Sequence, residues 1–108
     1  MLRAGEITSR QTVEAYFAQI REQNPTYNAI VTVNEANALA QADQADQAMR
    51  DGKPCGPLHG VPITIKDTYR VNGSRTTAGY PPLKDYIPDS DAVAVQLLKE
   101  AGAIIIGR

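Results

Sequence analysis

Gly56-Pro-Leu-His-Gly-Val-Pro-Ile-Thr-Ile-Lys66-Asp67 is a short apolar run that follows a loop stiffened by Pro57 and Pro62 and ends in a lysine and an aspartate. Ile63 and Ile65 alternate with Thr64 and Lys66, the period-two pattern of a strand with both isoleucines on one face. The pattern predicts a strand over about residues 61–66, with Lys66 at its C-terminal end beside Thr64. A long Gly/Pro-containing loop follows, over roughly residues 67–88, a length that points to function or mobility. Asp89-Ser90 is expected to start a helix with Val93, Ala94, Leu97, Leu98 and Ala101 on its inner side. Gly102 ends it, and Ala103-Ile-Ile-Ile-Gly107 reads as a second, buried strand. This β-loop-α-β order favours parallel pairing and an α/β fold. Lys66 would then lie where open α/β sheets place their ligands.

Outward from that unit, the N-terminal half reads as two helices. Thr8-Ser9-Arg10-Gln11 has the capping-box pattern, and Val13, Tyr16, Phe17 and Ile20 follow at helical spacing. Asn24-Pro25 is expected to stop that helix. Residues 28–33 suit a short strand or an extended connection. An alanine-rich helix is predicted from Asn34 to about Asp51, with Gly52 closing it. Leu39, Ala42 and Met49 would form a shallow packing stripe, leaving Asp43, Asp46 and Gln47 in water.

With 108 residues the chain suffices for one small domain. A net charge of −1, with charges interspersed, makes no case for nucleic acid or an anionic membrane. One cysteine, Cys55, excludes an internal disulfide and a Cys-based metal cluster. No apolar run reaches the ~20 residues that span a bilayer, and the first residues lack a secretory pattern, so a cytoplasmic location is expected.

Few residues offer chemistry. An ordinary lysine, near pKa ~10.4, is neutral in roughly one molecule in 2,500 at pH 7. A lysine that accepts a proton therefore needs desolvation or a neighbouring cation. For Lys66 the alternative is a strand-end lysine reaching water. His59 is expected to order its loop by a hydrogen bond, and Asp67 to bind backbone amides of the loop that follows. Ser9 and Ser90 read as helix N-caps and Ser74 as a turn residue after Asn72-Gly73. No serine is expected near His59, which argues against a Ser-His-Asp arrangement. Gly102 and Gly107 have phosphate-loop spacing, but they flank a strand and precede arginine, so nucleotide binding is rejected. No pair of His59, Cys55 or carboxylates has metal-ligand spacing; no cofactor and no metal are expected.

The Gly56–Asp67 run resembles the opening of the amidase signature family. So do Arg75-Thr-Thr-Ala-Gly79, Asp91-Ala-Val-Ala-Val and Ala101-Gly-Ala-Ile-Ile-Ile-Gly107, and, before them, Leu2-Arg-Ala-Gly-Glu-Ile-Thr-Ser9 and the Asn24-Pro25 to Asn28-Ala29 region. The resemblance covers nearly the whole chain. It implies an α/β fold in which N-terminal helices precede a β-loop-α-β unit of a mixed sheet. It also implies that Lys66 is the lysine of a Ser-Ser-Lys triad, taking a proton from a bridging serine held by a cis peptide, which in turn activates a nucleophilic serine. No Gly-Gly-Ser-Ser-Gly-like run occurs here. Residues 1–108 are thus expected to be the N-terminal segment of a single, longer amidase domain, inactive by itself. Two departures from the family stand out: Tyr80, where serine is frequent, and Arg108, where lysine is common and no catalytic role is expected. Tyr69 and Arg70 suit either a pocket wall or loop packing.

The implied reaction is hydrolysis of a linear carboxamide to an acid plus ammonia or an amine, with a small-molecule amide as substrate. A glutamine-hydrolysing tRNA amidotransferase subunit is a close alternative, disfavoured here on the Arg75–Gly79 segment. A different class of reading is a non-catalytic remnant or interaction module. Its expected signature is self-association through the uncovered edge of the Ile104–Ile106 strand.

Overall fold

The computed structural model describes Leu2 and residues 4–108; Met1 and Arg3 of the N-terminal stretch lie outside the described residues. The elements are α1 (Ser9–Tyr27), α2 (Glu35–Arg50), β1 (Pro62–Thr64), a 3₁₀ turn at Pro81–Leu83, α3 (Val93–Glu100) and β2 (Ile104–Gly107).

Thr8 caps α1 through the anticipated box: its hydroxyl accepts from Gln11 N–H while the Gln11 side chain accepts from Thr8 N–H. Ser9 is therefore the first helical residue and not the cap. It is buried, and its hydroxyl donates to Gly60 O at 2.7 Å. Pro25 does not stop the helix. It sits in the last turn, and closure falls to Asn28 in the left-handed conformation, whose N–H donates to Asn24 O at 2.6 Å. The Asn24 side chain then grips both backbone groups of Ile30. In the last turn the missing proline N–H removes a single bond, which that clamp offsets.

α2 packs on α1 through Ala38, Ala42 and Ala45, with Leu39 half-buried against them and Met49 36% exposed. Alanines let the helix axes approach, so Ala38, Ala42 and Ala45 form the centre of the contact with Leu39 of the expected stripe at its border, and Met49 lies outside it. Asp46 is not idle on the solvated face: its carboxylate accepts from Ser9 N–H at 2.7 Å and Arg10 N–H at 3.0 Å. It occupies the electropositive start of α1, where a carboxylate is favoured.

β1 and β2 run parallel, Pro62 opposite Ile104 and Ile63 opposite Ile105, with an irregularity after Ile63. Residues 31–34 pair antiparallel on the other side of β2: Val31 N–H donates to Arg108 O, Arg108 N–H to Thr32 O and Asn34 N–H to Ile106 O. The extended connection is thus a third, irregular rung, and the fold is a mixed α/β arrangement with β2 at its centre. Ile104 and Ile106 face Val13, Phe17 and the alanines of α2; Ile105 faces Ile65, Val71 and Val95. Every residue of β2 is buried, so the expected bare edge is absent there. The outer rungs are β1 on one side and residues 31–34 on the other.

α3 starts at Val93, not at Ser90. Asp91 turns its carboxylate to Asn72 N–H and Lys99, and Ala92 N–H donates to Arg70 O. The buried line is Ala92, Val95 and Leu98, while Val93 and Leu97 are 74% and 60% exposed. This helix is apolar on two sides: of the expected inner residues Leu98 packs inward, but Val93 and Leu97 face out and Val95 takes their place. The paired glycines have structural duties. Gly102 has φ +96°, and a Cβ there would come 2.7 Å from His59 Cα. At Gly107 a Cβ would meet Thr32 O at 2.9 Å.

Candidate active site

The backbone of β1 delivers Ile63 and Ile65 to one face, as alternation required. Regular pairing ends at Thr64, but Ile65 N–H still donates to Gly107 O at 3.1 Å, so the strand's course is held up to Lys66. Lys66 itself is exposed. It lines, with Thr64, Ile65, Tyr69, Ala94, Val95 and Leu98, an open cleft of about 280 Å³ between the strand end and α3. The partly buried setting expected for the lysine is therefore not formed by the described residues; the ammonium reaches water beside an apolar wall. Among the described residues Lys66 has no ion-pair partner.

Beyond Lys66 the chain turns, Tyr69 N–H donating to Lys66 O at 3.0 Å. Asp67, as expected, gathers the following loop. Its carboxylate accepts from Thr77 N–H at 3.2 Å and from the Thr77 hydroxyl, while its carbonyl accepts from Ala78 N–H at 2.9 Å. Ala78 and Gly79 both have positive φ, 54° and 67°, so the small residues of this segment make a sharp turn next to the strand end. Ser74 closes a turn onto Val71 as expected, its N–H donating to Val71 O at 3.0 Å.

Arg108 is 4% exposed and reaches under this whole region. Its Nη1 donates to Thr76 Oγ1 at 3.0 Å and to Arg75 O and Ser74 Oγ at 3.4 Å. Its Nε donates to Ile65 O at 3.4 Å, and its Nη2 to Lys66 O at 3.3 Å and to Tyr69 O. Burial pushes the guanidinium's proton affinity down and the Asp67 charge partly restores it; an arginine stays charged regardless. Sequence reasoning assigned this residue no role. The signal available was a cation immediately after a fully apolar strand, a place where charge is rarely buried without purpose.

His59 does what the sequence suggested: its Nε2 lies 2.8 Å from Ala45 O, tying the loop to α2. Contrary to expectation, a serine does lie nearby, since Ser9 and His59 line the same small cavity with Met49 and Cys55. Ser9 donates to Gly60 O, however, and the imidazole is turned to Ala45, so no serine–histidine pair forms. Ser90 accepts from Arg70 and caps nothing. Tyr69 belongs to the cleft wall, while Arg70 does not line it. Among the described residues no three His, Cys, Asp or Glu side chains converge as metal ligands, and no helix is long and apolar enough to cross a membrane.

The sequence pattern of the Amidase family matches residues 11–108. The chain belongs to the amidase family. An indoleacetamide hydrolase of Bradyrhizobium diazoefficiens is 45% identical over 106 residues, which make up 98% of this chain and 20% of that one. A glutamyl-tRNA(Gln) amidotransferase subunit from Endomicrobium trichonymphae is 41% identical over 107 residues, 99% of this chain and 22% of the relative. In three dimensions the native peptide amidase of Stenotrophomonas maltophilia superposes with a TM-score of 0.91 at 35% identity, over 99% of this chain and 22% of that structure. The chain thus spans about a fifth of the length of the amidase-family relatives it matches. The α/β fold expected from the resemblance is the fold of these amidases.

Proposed function

We propose that residues 1–108 are the N-terminal segment of an amidase domain and that Lys66 is its proton-accepting lysine. The observation that carries this reading is the place of Lys66: the C-terminal end of a parallel strand, at the mouth of a cleft, in a chain of the amidase family. A serine outside residues 1–108 attacks the carboxamide carbon. Its proton passes to a bridging serine, whose own proton passes to the neutral amine of Lys66. The tetrahedral adduct collapses to an acyl-enzyme as a proton returns to the departing nitrogen, releasing ammonia or an amine. Water then attacks the acyl carbon and frees the acid. The exposure of Lys66 fits this scheme, because a segment carrying those serines would cover the cleft and supply the desolvation that a basic lysine requires.

The test uses the complete natural polypeptide that contains this sequence. Ammonia release from simple carboxamides is expected, and Lys66→Ala should lower kcat by about 10³-fold or more, within the usual range for loss of a general base. Undiminished turnover in that variant would remove Lys66 from the mechanism. A polypeptide whose intact mass is only the 11.7 kDa of this chain would instead favour a non-catalytic module. The 41% identity to an amidotransferase subunit supports a second substrate reading, glutamine as the amide. Comparing turnover of glutamine with that of an aryl or alkyl acetamide separates the two.

A further inference from the structure

We propose that Arg108 is a positioning residue for Lys66, a guanidinium clamp that sets the direction of the lysine at the strand end. The inference rests on the reading of Lys66 as the proton acceptor. Three carbonyls around that residue, of Ile65, Lys66 and Tyr69, converge on one side of the guanidinium. Orienting the peptides on both sides of Lys66 fixes its backbone dihedrals, and these fix where its side chain leaves the strand. The other edge of the fork holds Ser74 Oγ, Arg75 O and Thr76 Oγ1. Arg108 thereby yokes the Arg75–Gly79 loop to the lysine, in parallel with the Asp67–Thr77 clasp.

Stability alone does not account for an arginine here. All six acceptors are neutral, and among the described residues no carboxylate lies within ion-pair distance of it. A buried cation whose direct partners are all neutral, with only the more distant Asp67 charge to offset it, bears a desolvation cost that an apolar side chain of similar length avoids. What the guanidinium offers instead is geometry: a planar fork with five N–H donors reaches acceptors on two segments at once. A lysine, with a single ammonium, reaches fewer of them.

The test compares Arg108→Met, Arg108→Lys, Val13→Ala and Lys66→Ala in the complete natural polypeptide. Displacing a reacting group by about 1 Å costs on the order of 10²-fold in rate. Arg108→Met should therefore lower kcat about 100-fold with KM nearly unchanged, and should speed hydrogen exchange at the Tyr69 and Ala78 amides but not in α1 or α2. Arg108→Lys should recover part of the loss. Val13→Ala, a cavity in the helical core, should lower the melting temperature and leave kcat near wild type. Unchanged kcat in Arg108→Met overturns the proposal, as does an equal loss of kcat in Val13→Ala. Should Arg108→Met fail to fold, wild-type kcat and Tyr69 exchange in Arg108→Lys overturn it instead. Full activity in Lys66→Ala overturns the reading of the lysine and the clamp with it. An inactive Lys66→Ala beside a fully active Arg108→Met overturns only the clamp.

Discussion

The helical layer and the loop region around Lys66 are built on opposite principles. Between α1, α2 and β2, cohesion comes from Val13, Phe17, three alanines, Ile104 and Ile106, all with little or no exposure. Around residues 65–92 the apolar cluster is small, Ile65, Val71, Val95 and Ile105, and the chain is held by charged side chains bonded to backbone. Arg108 binds four carbonyls, Asp67 binds the Thr77 amide, Asp91 binds the Asn72 amide, and Arg75 Nε binds Lys84 O. Apolar burial is non-directional and tolerates exchange of one hydrophobe for another. Hydrogen bonds from fixed charges specify direction, which apolar contacts do not.

That contrast can be broken at either end. Phe17→Ala should have the largest effect, about 3–5 kcal/mol of stability lost through the cavity it leaves, measured by denaturant unfolding. Exchange rates in the 66–79 loop, compared under conditions where the variant stays folded, should be unaltered. Thr77→Val comes next: it strips the Asp67 carboxylate of a hydroxyl donor inside a buried turn and should cost about 1–3 kcal/mol. Its signature is local, with faster exchange at Ala78 and Gly79. Asp46→Ala sharpens the comparison from within the helical layer, since the start of α1 is held by a charge although its body is not. The expected loss is about 1 kcal/mol, with fraying confined to the first turn.

The smallest effect is a pH dependence. Burial alone would push the Asp91 carboxyl up, but the Asn72 N–H and the Lys99 ammonium together hold it below the ordinary carboxylate range. Its contribution is therefore complete above the unfolded-chain value of ~3.9 and is lost as pH falls through the lower folded value. Asp91→Asn should be less stable than wild type by at most ~1 kcal/mol at pH 7. The gap should close as pH is lowered below 4 in melting experiments. A gap that persists at pH 2 would show that the ion pair is not its source.

The amino-acid sequence by itself determined the element order, the parallel β1–β2 pair, the capping box at Thr8, the turn at Ser74 and the loop-ordering bond of His59. The cap and the turn depend on residues close in sequence and the strand pair on a period imposed by the backbone; for His59 the sequence anticipated a bond but not its partner, Ala45 O on α2. It also marked Asp67 as a loop anchor, while the resemblance to the amidase signature family made Lys66 the candidate base. Only the tertiary structure decided which of the two apolar sides of α3 is buried, because Ala92-Val95-Leu98 and Val93-Leu97 are equally hydrophobic to a periodicity argument. It alone let α1 run past Pro25, through the Asn24 grip on Ile30, and drew Asp46 from a solvated stripe to the start of another helix. It alone brought Arg108 beneath Lys66 across more than forty residues of chain. The polar outcomes share one cause: a polar side chain's partner is chosen by where the fold places unpaired N–H and C=O groups. That is a property of the packed chain and not of any stretch within it.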